Sequence, residues 1–161
     1  LLQTNAIAAA KWALVPVKSD KSSRKGVAAV AKRFDGVQDI NPDLDLLGVV
    51  LTAIGSSSTA IERQARQAVV ELFGFADIVF KSTIRHSEAT ATTARERGKL
   101  VFELEAEAKD GPKWWQVRRG EATNANAIPA TASSVAGDLQ AVVQEIVDRL
   151  AADEARQEQS A

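Results

Sequence analysis

The sequence has no cysteine, no methionine and no tyrosine, and only one histidine, His86, in 161 residues. Without Cys there is no disulfide framework and no thiolate metal site, a usage that fits a reducing cytoplasm. A single His gives no basis for a His-built metal centre or a His-centred triad. Long apolar runs are also missing, and none approaches the roughly 18 to 20 residues a membrane helix needs. Leu1 to Ala10 has no basic stretch ahead of its apolar residues, so it does not read as a secretory signal. The missing Met, with an abrupt start at Leu1-Leu2-Gln3, leads us to expect that the upstream part lies outside this sequence. What remains is ordinary: 45% hydrophobic and 25% charged residues, enough for one domain with a sizeable core. The net charge of −1 hides an asymmetry. Residues 1–120 hold 18 Lys+Arg against 14 Asp+Glu, a surplus of +4, whereas residues 121–161 hold 2 against 7, or −5. A mildly basic body permits contact with polyanions without requiring it.

Patterning points to alternating strands and helices. Trp12 to Val17 is a continuous apolar run, the signature of a strand buried on both faces, and Pro16 should end it or lie at its rim. Asp20 or Ser22 can cap a helix carrying Val27, Val30, Ala31 and Phe34. Turn residues fill 35–45, and Leu46 to Leu51 reads as a second buried strand. Ser58 or Thr59 opens a helix with the stripe Ile61, Ala65, Ala68, Val69 and Leu72, stopped at Gly74. Ile78 to Ile84 is a third strand, Ser87 starts a helix over 88–97 that Gly98 ends, and Leu100 to Ala108 is a short helix. Residues 110–133 look irregular. From Ser134 a long helix places Val135, Leu139, Val142, Val143, Ile146 and Leu150 together, and after Ala152 the polar tail is expected to fray. This order predicts an α/β fold, a parallel sheet layered with helices and closed by a C-terminal helix.

In such sheets ligands sit beyond the carboxyl ends of the strands, here the loops Lys18 to Ser23, Thr52 to Ser58 and Thr83 to Glu88. No G-x-x-x-x-G-K-[ST] phosphate loop is present; Gly55-Ser56-Ser57-Ser58-Thr59 lacks the second Gly and the Lys and reads as a loop before a helix cap. Asp20 and Glu88 both fall at strand ends, as a carboxylate pair or as acids favoured at helix starts. Lys113-Trp114-Trp115-Gln116-Val117-Arg118-Arg119 is either a stacking and phosphate-binding strip or a loop with one packed Trp.

Three motifs in order resemble ParA-type partition ATPases of the ParA/Soj/MinD superfamily. Trp12-Ala-Leu-Val-Pro-Val-Lys-Ser-Asp20 with Gly26-Val27 is similar to the family's strand and switch-adjacent loop. Leu46-Leu-Gly-Val-Val-Leu-Thr52 looks like the next strand, ending at the adenine pocket. Ile84-Arg-His-Ser-Glu-Ala89, followed by Arg95-Glu-Arg-Gly98-Lys99, is similar to the late I-P-R-x-x-x-x-E-A loop. The match runs from about Leu1 to Leu104 and covers the C-terminal half of the family fold. It makes residues 1–152 the C-terminal portion of a single P-loop-type domain and 153–161 a polar tail.

The resemblance implies ATP and Mg²⁺ as cofactors, an ATP-bridged homodimer, nonspecific DNA binding and a ParB-like partner, in the cytoplasm on the nucleoid. The family's Walker lysines, Mg²⁺ ligand and water-positioning Asp belong to the half absent here, so the intact protein would be the ATPase and this chain alone inactive. Carried over, Thr52 faces the adenine edge, and Thr83, Ile84 and Arg85 lie in the loop beside the base. Arg85 also matches a basic residue that relatives use for DNA phosphates; with Lys81, Arg63, Arg66, Lys99 and Arg95 it forms a basic surface. The bland alternative is solvated helix faces balanced by Glu62, Glu71 and Glu96. Two departures stand out: the late loop lacks its Pro, and Ser57 stands where many relatives carry a DNA-contacting Arg. A MinD-like membrane role is disfavoured because residues 151–161 are too polar and acidic for an anionic membrane. A non-enzymatic α/β binding or regulatory domain is the second reading, since no catalytic motif is present.

Overall fold

The computed structural model describes residues 2–18, 26, 29, 36–37, 39–55, 59–112, 114–120 and 128–160. Two compact units partition the chain, the first from residues 1–86 and 141–161, the second from 87–140. The predicted helix with Asp20 or Ser22 as cap and Val27, Val30, Ala31 and Phe34 on its face lies outside the described residues, as does Ser58. Among the described residues no helix is long and apolar enough to cross a membrane.

The first unit holds helix α1 (Leu2–Ala9) and strands β1 (Trp12–Lys18) and β2 (Asp45–Ile54). Helix α2 (Thr59–Phe73), a 3-10 turn (Ala76–Ile78) and strand β3 (Val79–Arg85) follow. The strands form a parallel sheet in the order β1-β2-β3, as the alternating pattern predicted. Asn41 ties the entry to β2 onto the end of α1, its amide donating to the Ile7 and Ala10 carbonyls at 2.9 and 2.7 Å. Helix α6 (Ala132–Ser160) belongs to the second unit up to Gln140 and to the first from Ala141.

Each sheet face has its own core. On one, Val17, Val49, Leu51 and Ile54 meet Ala65 and Val69 of α2 together with Ile78 and Val79. On the other, Val50 and the fully buried Phe80 meet Val142 and Ile146 of α6, with Leu14, Leu47 and Ile84 around them. Strand β2 supplies both cores but does not alternate evenly. Leu46, Val49, Leu51 and Ile54 share one face, so an extra residue sits between Leu46 and Val49 and another between Leu51 and Ile54. Gly48 (φ 149°) and Ala53 (φ 56°) lie at those two places, and the strand register shifts at both. At Gly48 a Cβ would stand 2.7 Å from the Ile78 carbonyl oxygen and from the Phe80 ring, so only glycine fits.

Several boundaries differ from those predicted. Strand β1 runs through Pro16 to Lys18 and is half-buried along most of its length, only Val17 being buried. It is an edge strand, where a missing N–H costs no ladder bond if it faces outward. Helix α2 buries Ala65 and Val69 and turns Val70 and Phe73 inward, leaving Ile61 and Leu72 exposed. Helix α6 does not fray after Ala152 but continues to Ser160. Asp153 binds Gln157 one turn on at 2.7 Å and Arg156 at 3.4 Å, the local pairing that holds a polar helix end.

The second unit holds α3 (Glu88–Arg97), α4 (Val101–Asp110), α5 (Trp114–Arg118) and the start of α6. Ser87 caps α3 and Gly98 ends it in the left-handed conformation, both as the sequence indicated. Helix α5 falls in a stretch expected to be irregular.

Candidate functional site

The carboxyl rim of the sheet belongs to the first unit. Lys18, Thr52 and Ile84 stand opposite one another across the three strands, so the pairing aligns one residue of each expected strand-end segment. Thr52 is half-buried, Lys18 exposed, and Ile84 half-buried against the Phe80 core. Thr83 pairs with Leu51, and the exposed Arg85 with Ile54. Pairing persists one residue further, since the His86 N–H donates to the Ile54 carbonyl at 2.8 Å.

Two positions thus differ from the sequence reading. Thr52 lies inside β2 rather than opening a loop, and Arg85, one residue past the predicted end of the third strand at Ile84, lies inside β3. No proline interrupts Val79 to Arg85, so each residue keeps its N–H and nothing local ends the ladder. Sequence reasoning missed Ala53 altogether. The signal was available in the spacing of Val49, Leu51 and Ile54, which strict alternation cannot place on one face.

Of the basic residues, Lys81 and Arg63 are exposed. Arg66 is drawn into the edge of β3. Its guanidinium pairs with Glu62 at 2.9 Å and donates to the Phe80 and Lys81 carbonyls at 2.5 and 2.8 Å. From α6, Glu145 accepts the Lys81 and Ser82 N–H groups, both at 2.9 Å. Arg149 donates to the Asp77 and Val79 carbonyls and stacks on the Phe80 ring at 4.1 Å. Arg66 and Glu145 therefore engage the backbone of Phe80, Lys81 and Ser82, along the edge of β3 where a fourth strand would pair, whereas Arg149, which also donates to the Leu47 carbonyl, bridges β2 and β3. Burial opposes ionisation of Glu145, but hydrogen bonds from Ser82, Lys81 and Arg149 outweigh it and hold the carboxyl below its usual range.

In the second unit Lys99 pairs with Glu107, which Arg97 also approaches at 3.4 Å, and Arg95 is exposed. The hydroxyls of Ser87, Thr90 and Thr131 close a triangle of 2.7 to 2.9 Å contacts that satisfies the buried Thr90. The Glu88 carboxylate lies in the first turn of α3; Asp20, its suggested partner, is outside the described residues, as are Lys113 and the side chains of Trp114 and Trp115. No group of three or more His, Cys, Asp or Glu among the described residues is disposed to hold a metal ion.

No family model matches the chain. Similarity extends to two proteins of Mycobacterium tuberculosis, "Uncharacterized protein MT1749" of strain CDC 1551 / Oshkosh and "Uncharacterized protein Rv1708" of strain ATCC 25618 / H37Rv. Each is 33% identical over 85 residues, 52% of this chain and 26% of the relative. The aligned part thus spans about a quarter of the length of these relatives.

Proposed function

We propose that the intact protein is an ATP-dependent partitioning ATPase of ParA type, segregating plasmid or chromosomal DNA on the nucleoid in the cytoplasm. The observation that carries this reading is the Lys18, Thr52, Ile84 row at the carboxyl rim of a parallel sheet, built from the three motifs in their family order. The Thr52 hydroxyl meets the adenine edge, Ile84 gives an apolar wall, and Thr83 and Arg85 flank the base. Arg85, with Lys81 and Arg63, holds DNA phosphates without reading sequence. An ATP-bridged homodimer and a ParB-like partner complete the cycle.

On this reading the rim residues take the adenine end of the nucleotide, and Mg²⁺ and the phosphates would be held by the Walker residues of the intact polypeptide. ATP, when bound, supplies the hydrolysable anhydride. What this chain contributes is the strand-end residues that flank the base and a cationic surface for DNA.

Two measurements test the reading. In the intact protein, Arg85→Ala should weaken DNA binding in the presence of ATP and lower its salt slope by about one, while ATP affinity is kept. Unchanged DNA binding across salt would count against it. The intact reading frame must also carry a K-G-G-x-G-K-[ST]-like loop ahead of Leu1; its absence sinks the assignment. The second reading, a non-enzymatic α/β binding or regulatory domain, is favoured by the lack of a phosphate loop in these 161 residues.

A further inference from the structure

At the amino end of the sheet, opposite the Lys18, Thr52, Ile84 row, the first unit carries a hollow of about 720 Å³, within the size range of small-molecule sites. Trp12 and Asp45, the first residues of β1 and β2, pair with each other and both line it. The end of α1, the 41–45 segment and Gln157 of α6 complete the wall. Most of its polar groups are acceptors with capacity to spare. An α-helix leaves its last carbonyls without partners of its own. Asn41 takes those of Ile7 and Ala10, but among the described residues nothing outside α1 donates to those of Ala8 and Ala9. The Asp43 carboxylate is exposed and has no partner among the described residues. Asp45 engages one oxygen with the Leu46 N–H at 2.8 Å and keeps the other.

Against these acceptors stands one cation of the lining. The Lys11 ammonium lies 5.3 Å from the centroid of the Trp12 ring and reaches the Gln157 side-chain oxygen only at 3.4 Å. An ammonium over an indole face is cation–π recognition, and here the chain's own lysine supplies it. The charges of the lining do not balance. Two carboxylates and the negative pole of α1, roughly half a charge, face one ammonium, which leaves about one and a half positive charges to be supplied.

We propose that this hollow binds a short aliphatic diamine. Its two ammonium groups take the Asp43 and Asp45 carboxylates and the free carbonyls at the end of α1, and its methylenes lie along Trp12 and Pro42. A neutral ligand of the same size would leave the carboxylates unbalanced, and an anion would be repelled by them. The site lies at the other end of the strands from the rim and does not depend on the nucleotide reading.

The test is titration of the ¹⁵N-labelled 161-residue chain with 1,4-diaminobutane and with 1-aminobutane at low salt. The diamine should shift the Trp12 indole N–H and the Asp43 and Asp45 amides, and bind about fivefold more tightly than the monoamine. Asp43→Asn removes an exposed charge that holds nothing in the fold, and should weaken diamine binding about fivefold. Asp110→Asn, the same change of charge in the second unit, should leave it unaltered. Lys11→Met, which withdraws the competing ammonium, should strengthen it. Absence of diamine binding, shifts confined to other residues, equal affinity for the two amines, or weaker binding by Lys11→Met would each overturn the proposal. Equal losses in Asp43→Asn and Asp110→Asn would overturn it too, as they would reduce the binding to general attraction between a cation and acidic side chains.

Discussion

At the scale of single residues, three charged side chains decide how the sheet ends. Glu145, Arg149 and Arg66 meet five backbone groups of β3 and the Asp77 carbonyl just ahead of it. Glu145 is the acceptor of the three, taking two N–H donors, and an amide in its place would turn an NH₂ toward one of them. Glu145→Gln is therefore expected to cost about 1–3 kcal/mol at pH 7, measured by urea unfolding. The pH dependence has a definite sign. A carboxyl whose folded pKa is depressed contributes stability that is present above its unfolded pKa, about 4.3 for Glu. That contribution is lost as pH falls through the folded value, so the gap between wild type and variant should narrow below about pH 4. None of this was legible in the sequence. Arg66 reads as a solvated or DNA-facing cation on a helix, because its partners are backbone carbonyls 14 and 15 residues away.

Elements were more readable, and their failures have local causes. The α3 cap at Ser87 and the stop at Gly98 follow from short-range chemistry and were placed correctly. The rotation of α2 was not, since Ile61 and Leu72 continue its apolar stripe yet remain exposed, while Ala65, Val69, Val70 and Phe73 pack on the sheet and Arg66 reaches β3. The tail of α6 was read as fraying because its composition is polar, while the spacing of Asp153, Arg156 and Gln157 favours the helix. Strand β2 carries the sharpest element-level expectation. Gly48→Ala forces a methyl against the Ile78 carbonyl and the Phe80 ring, and a destabilisation of about 2–4 kcal/mol should appear in thermal or urea unfolding. Gly26→Ala, where a Cβ meets nothing within 4 Å, should be nearly silent by comparison.

For the molecule as a whole, the parallel sheet was legible because alternating apolar runs and helical stripes leave few other solutions. The rim residues Thr52 and Ile84 were legible too, as strand-end positions, and the pairing sets them opposite one another. Their enclosure within strands was not, because strand length depends on ladder bonds that no single segment encodes. The topology also predicts an order of local opening. Amides of Val49 to Leu51, in the strand paired on both sides, should exchange slowest with deuterium, and outward amides of β1 much faster. Equal protection in β1 and β2 would mean that something covers the β1 edge.

The side chains along β3 have one more consequence, for self-association. Growth of a filament by strand addition requires two adhesive edges per copy, so that each newcomer presents a fresh end. Here β3 is occupied by Arg66 and Glu145, and β1 is the remaining edge among the described strands. Two copies that meet through β1 each use up their open edge, and no third can join in the same manner. Association by this route terminates at a pair, so the sheet carries its own chain stop.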